Sequence, residues 1–194
     1  MLKSRRRLIA LAATVCAGTA LVVVLLTGWA SGGNSGVSYV AGSRSAVLYS
    51  AGHRPAAPDF TATTLTGSRL DFSSYRGQVV VLNFWGSWCA PCRQEAPTLA
   101  VTAQQYRPDG VTFLGVDVRD DAASALAFSR EFGVPYPSVS DSGSVITLDF
   151  TAVVPIAGTP TTLVIDRTGH IAGAVFGPAT QQDLTDILTQ VMHS

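Results

Sequence analysis

The chain has 194 residues, which suits one domain of roughly 100 to 150 residues and something besides. Lys plus Arg and Asp plus Glu balance at 13 each, so the formal charge is zero. No basic strip interleaved with aromatics occurs, and nucleic-acid binding has no electrostatic support.

Lys3, Arg5, Arg6 and Arg7 precede residues 8–26, a run without a single charge. At about 1.5 Å per helical residue that run reaches roughly 28 Å, near the thickness of a bilayer hydrocarbon core. Residues 1–30 are therefore expected to be a single-pass membrane anchor. The alternative is a cleaved secretory signal, since Gly28-Trp29-Ala30 offers the small residues a signal peptidase inspects. Either way the basic cluster stays inside and the rest of the chain lies outside the cytoplasm, at the cell membrane or secreted. Without the four basic tail residues, nine arginines face 13 acidic residues, so the exported part is mildly acidic. Cys16, in the apolar run, reads as a buried small thiol; Val15 stands where a lipoprotein acceptor cysteine wants a small residue.

Residues 31–57, rich in Gly, Ser, Ala and Pro and without a sustained apolar period, read as a flexible linker whose last residues, from about Arg54, lie along the folded domain, with His53 solvated. A folded domain is expected over 58–194. "DFTATTLTGSRLDFSSYRG" suggests a β-hairpin around Thr66-Gly67, and "VVVLNF" from Val79 reads as a strand covered on both faces. Ala96, Leu99, Ala100, Ala103 and Tyr106 recur at helical spacing. "VTFLGVDV" from Val111 is a second buried strand. Ala125, Phe128 and Phe132 line a second helix that Gly133 closes, and residues 144–150 suggest a short third one. "TTLVID" and "IAGAVFG" flank a turn at Arg167-Thr168-Gly169-His170, and a last helix runs from about Thr180 to Met192. The order, βαβα then ββα, implies a right-handed crossover followed by a hairpin, an α/β fold with helices on both faces of the sheet.

Trp88-Cys89-Ala90-Pro91-Cys92 falls where the first buried strand hands over to the first helix. Pro91 suits the first helical turn, where an N–H lacks an intrahelical partner anyway. Cys89 then sits at the helix N-terminus, whose unpaired N–H groups and positive dipole end favour its thiolate. Cys89 is expected as the outward, attacking sulfur, and Cys92, a turn inward, as the one that resolves a mixed disulfide. Other uses of the pair are weaker. A disulfide closing so short a loop restrains the unfolded chain by only about 2 kcal/mol. Covalent haem attachment wants His after the second Cys, where Arg93 stands. A structural zinc site wants four ligands, and His53, His170 and His193 are scattered, so no metal and no cofactor besides the Cys89–Cys92 disulfide is expected.

"FWGSWCAPC" resembles the active-site turn of thioredoxin-fold proteins. Cys-x-x-Cys-x-x-Glu-x-Pro, with "APDFTATTLTG", "YRGQVVVLNFW" and "GTPTTLVIDRTGHI", resembles the TlpA/ResA-like branch of exported thiol-disulfide oxidoreductases, over about residues 58–192. The resemblance implies a thioredoxin fold, a central mixed sheet with an N-terminal β-hairpin extension. It also implies that Pro160, after Thr159, is a cis-proline facing the sulfurs. Cytoplasmic thioredoxins carry a buried Asp where this chain has Asn83, which cannot take a proton. Glu95, three residues past Cys92 and on its helical face, is the expected proton acceptor, as the resemblance also implies; the bland reading is a solvated first-turn glutamate. Trp85 and Trp88 are expected to flank the sulfurs as a docking surface, core packing being the alternative for Trp85. Trp88, Ala90, Pro91 and Thr159 are the expected substrate contacts. Pro97 should kink its helix without ending it. Residues 151–158 are longer than the resemblance leads one to expect, and either shape partner choice or extend the core.

The resulting expectation is a thiol-disulfide oxidoreductase acting on protein thiols and disulfides. Ala-Pro between the cysteines lacks the His of strongly oxidising relatives, which favours reduction, with electrons from a membrane thiol carrier. The resemblance implies apocytochrome c as client. Alternatives are oxidase-type exchange, a peroxiredoxin-like peroxidase sharing the "PDF" opening, and a non-catalytic binding module. The peroxidase wants Thr three residues before its reactive Cys; here Cys89 and Gly86 hold those places.

Overall fold

The computed structural model describes residues 36–40, 43 and 45–193. The apolar run at 8–26 and Cys16 lie outside the described residues; among those described, no helix is long and apolar enough to cross a membrane.

Among the described residues, nine strands and four α-helices follow in chain order: β1 (Val37–Tyr39), β2 (Ala46–Tyr49), β3 (Thr61–Thr63), β4 (Arg69–Asp71), β5 (Val79–Trp85), α1 (Ala90–Tyr106), β6 (Val111–Val118), α2 (Ala122–Glu131), β7 (Ser138–Asp141), α3 (Val145–Thr151), β8 (Thr161–Ile165), β9 (Ile171–Phe176) and α4 (Gln181–Met192). The main sheet is ordered β1-β2-β9-β8-β5-β6-β7, while β3 and β4 form a separate hairpin around the expected Thr66-Gly67 turn. Strands β5, β6 and β7 run parallel, and the other neighbours antiparallel. This is the mixed sheet of a thioredoxin fold.

The continuous apolar texture of β5 follows from its central place, where every residue is buried between two faces. On one face Leu82, Phe84, Val116 and Leu163 meet Phe72 and Phe150. On the other, Val79, Val81, Val111 and Phe113 meet Leu99 of α1 and Leu184, Ile187 and Leu188 of α4. Pro97 lies inside a continuous α1. Thr180 and Asp183 close a capping box at the start of α4, and Asp141 accepts the Ile146 and Thr147 amides to start α3.

Two expectations need correction. Residues 37–39 and 46–49 are strands and not linker: β2 pairs with β9, Ala46 opposite Val175 and Leu48 opposite Gly173, and buries Ala46, Val47 and Leu48. Four apolar residues bracketed by Gly and Ser are too few to show a period, yet they suffice to extend an existing sheet edge. Arg54, where the segment was expected to meet the folded domain, lies against it with its guanidinium 2.9 Å from Asp166 in the β8–β9 turn. Strand β7 also escaped the sequence reading, because "SVSD" is short and half polar; it joins by pairing Gly115 with Ser138. From β5 onward the order is thus βαβαβα before the final ββα.

Candidate active site

Between β5 and α1 the chain turns through Gly86, Ser87 and Trp88. Cys89 is the N-cap of α1, and its sulfur accepts the Cys92 amide at 3.2 Å, as a helix-start thiolate would. Pro91 lies in the first helical turn. Cys89 and Cys92 are joined as a disulfide with Cα atoms 5.2 Å apart.

The outward placement of Cys89 is not what this oxidised state shows. Cys89 is 4% exposed and Cys92 1%, both packed with Trp85, Ala96, Ala125 and Phe128. Bonded to Cys92, the Cys89 sulfur lies within this apolar cluster. Ala90 and Pro91 remain exposed beside it, and Trp88 is 52% exposed. Trp85 is core and not docking surface: its ring lies 4.5 Å from that of Phe128 and passes over Gly115, where a Cβ would collide with its indole nitrogen and with Ser138.

Trp88 is held although exposed. Its Nε1–H donates to the Val118 carbonyl at 3.0 Å, its indole folds back over Gly86 where a Cβ would collide with it, and the Arg119 guanidinium lies 5.7 Å from the ring centroid. The Ser87 amide donates to Asp120 at 2.6 Å. The end of β6 thereby clasps the cysteine turn.

Behind Cys92, Glu95 is 2% exposed, which excludes the solvated reading. Asn83 Nδ2 donates to its Oε1 and the Ala179 amide to its Oε2, each at 2.8 Å. Burial pushes the carboxyl up to about 7, although the Ala179 amide and then Asn83 oppose the rise. A narrow space lined by Asn83, Trp85, Cys92, Glu95, Phe128 and Tyr136 puts the inner cysteine and this acid together. Asn83, read from sequence only as a lost acid, instead orients Glu95 and is itself bridged to the Thr162 hydroxyl at 3.0 Å. Tyr136 is a further residue the sequence did not single out; burial, and then the charge of Glu95, push its phenol up.

The Thr159-Pro160 peptide is cis. Thr161 is registered to Phe84, so Pro160 lies at the end of the sheet that carries the cysteine turn. The Thr159 hydroxyl is buried with no hydrogen-bond partner among the described residues. In the 151–158 segment Val154 and Ile156 are core, while Val153 is exposed. Among the described residues no cluster of His, Cys, Asp and Glu is arranged to hold a metal.

Residues 54–174 match the AhpC/TSA family. The thiol-disulfide oxidoreductase ResA of Geobacillus kaustophilus is 38% identical over 128 residues, covering 66% of this chain and 71% of the relative. The chain belongs to the AhpC/TSA family, in its ResA-like branch of thiol-disulfide oxidoreductases. A secreted thiol-disulfide isomerase from Corynebacterium glutamicum superimposes with a TM-score of 0.72 at 29% identity, over 81% of this chain and 97% of that one. A secreted Mycobacterium tuberculosis disulfide oxidoreductase, homologous to E. coli DsbE, gives 0.59 at 28% identity, over 68% and 95%. Like other ResA-like proteins, this one is an enzyme of thiol–disulfide exchange, and its disulfide lies at the helix start where that chemistry needs it.

Proposed function

We propose that this oxidoreductase works outside the cytoplasm, held at the membrane by residues 8–26, and reduces disulfides of partner proteins, with apocytochrome c as client. The observation that carries the mechanism is Glu95, buried behind Cys92 and poised near neutrality. In the reduced enzyme the Cys89 thiolate attacks one sulfur of the client disulfide; a Cys89–client bond forms and the client's other sulfur leaves as thiolate. Cys92 gives its proton to Glu95 and attacks Cys89 Sγ, which re-forms the Cys89–Cys92 bond and releases the second client thiol. Two electrons pass to the client, whose thiolates take up two protons. A membrane dithiol carrier returns the enzyme to the reduced state by the same exchange in reverse.

Trp88, Ala90 and Pro91, exposed around the sulfurs, and Thr159 before the cis-proline are the surface offered to the client. Support for an extracytoplasmic site comes from the basic-then-apolar leader and from the secreted structural relatives. The peroxidase alternative lacks its threonine, and a binding module has no use for a helix-start cysteine pair with an acid behind it. Equilibrating the full-length protein with glutathione tests the direction. A reductase should lie well below the potential of a strong oxidant, about −120 mV; a value near that figure would contradict it.

A further inference from the structure

A second buried acid stands at the cysteine turn, apart from Glu95. Asp117, the next-to-last residue of β6, is registered to Trp85 across the parallel pair. It is 1% exposed, and neither carboxylate oxygen has a donor among the described residues. An ionised carboxylate in that position is strongly disfavoured, whereas the neutral acid becomes a donor itself. Its neighbour Asp120 is the available acceptor. Asp120 Oδ2 takes the Ser87 amide at 2.6 Å and Oδ1 the Asp121 amide at 2.9 Å, leaving each oxygen a further lone pair.

The groups around Asp117 all favour one shared proton. Asp120 and Asp121 come from the turn after β6, and Asp141 from β7; burial first, then these carboxylates, push Asp117 up to about 8. The cluster around its partner Trp85, formed by the cysteine turn, α1 and α2, presents Cys89, Cys92, Ala96, Ala125 and Phe128, none of them a cation. Arg119 is turned over the Trp88 ring, and Glu95 on α1 is engaged by Asn83 and Ala179.

We propose that Asp117 is a positioning residue for the cysteine turn: as the neutral acid it donates its hydrogen bond to Asp120, which in turn holds the Ser87 amide two residues before Cys89. Loss of that proton to solvent sets two carboxylates against each other, and Asp120 can relieve the repulsion only by moving away from Asp117, which loosens Ser87 and the Trp88 contacts beside it. The consequence opposes ordinary thiol chemistry, since a free thiolate gains in rate with rising pH while this turn loses its geometry. The proposal rests on Cys89 as the exchanging sulfur, but its test reads the turn itself.

In the oxidised full-length protein, the Asp117 carboxyl carbon and the Ser87 amide are followed by NMR against pH, in wild type and in Asp117→Asn, whose amide can donate but cannot ionise. Both wild-type signals should titrate with one midpoint near 8. In Asp117→Asn the Ser87 signal should stay flat, with intrinsic-rate-corrected amide exchange at about pH 9 roughly tenfold slower than in wild type. An Asp117 carboxyl titrating in the ordinary carboxylate range, or a Ser87 transition unchanged in Asp117→Asn, overturns the proposal. Should the variant not fold, unequal wild-type midpoints overturn it and equal ones support it. Because no client is present, failure of the reductase assignment leaves this result intact, and the converse holds.

Discussion

Asp166 and Glu95 are both buried carboxyls, at different places in the sheet, and their surroundings push them in opposite directions. Burial alone would raise Asp166, but the Thr168 hydroxyl, the His170 amide, the Arg54 guanidinium and the Thr168 amide together hold it below the usual carboxylate range. Among the described residues Glu95 receives two neutral donors and no cation, so burial wins and the carboxyl is pushed up to about 7. A carboxylate supplied with donors and a cation ties a turn down, and changes little near neutral pH. One left short of donors is ready to exchange a proton, and it stands behind the inner cysteine.

The largest effect that would break this contrast is kinetic. Glu95→Gln should slow release of client from the Cys89 mixed disulfide by at least roughly a hundredfold at neutral pH, and remove the inflection near 7 from that step, in stopped-flow thiol release. Attack by Cys89 should change far less.

Stability against pH sharpens the comparison next, with opposite signs for the two acids. Glu95 has a folded pKa above its unfolded value of 4.5, so the folded protein binds the proton more tightly. Its contribution falls as pH rises from about 4.5 to about 7, by roughly 3 kcal/mol in all. Glu95→Gln should therefore be more stable than wild type above neutrality and converge with it in acid, measured by denaturant unfolding of the oxidised protein. Asp166 behaves the other way: its stabilisation is present above its unfolded pKa and is lost as pH falls through the folded one. Arg54→Ala, the smallest of these changes, should cost about 1 to 3 kcal/mol near neutral pH and raise the Asp166 midpoint, readable by denaturant melts and carboxyl NMR.

These pairs also show what the sequence can and cannot disclose. The cysteine turn was legible because its physics is local: an apolar strand, Cys-Ala-Pro-Cys and a helical period fix a helix start within a few residues. Glu95 was legible for the same reason, three residues along one face. Asn83 was not, because its meaning depends on Glu95 and Thr162 meeting it from α1 and β8. Asp117 looked like one more residue of a buried strand, and only the fold shows that none of the described residues donates to it. The exposure of Cys89 was misjudged because a helix terminus is usually open, whereas here the disulfide and the Trp85–Phe128 pair close over it. Residues 37–49 carry too little apolar pattern to announce strands that an existing sheet edge recruits.

The central claim is that Cys89 attacks and Cys92 resolves. Its most direct test is covalent capture by full-length Cys92→Ser in the native envelope, with mapping of the attachment site. The account predicts mixed disulfides that accumulate through Cys89, dissolve with reductant, and are missing from Cys89→Ser. Capture that proceeds equally through Cys92 in Cys89→Ser, or no adduct at all in Cys92→Ser, would contradict it.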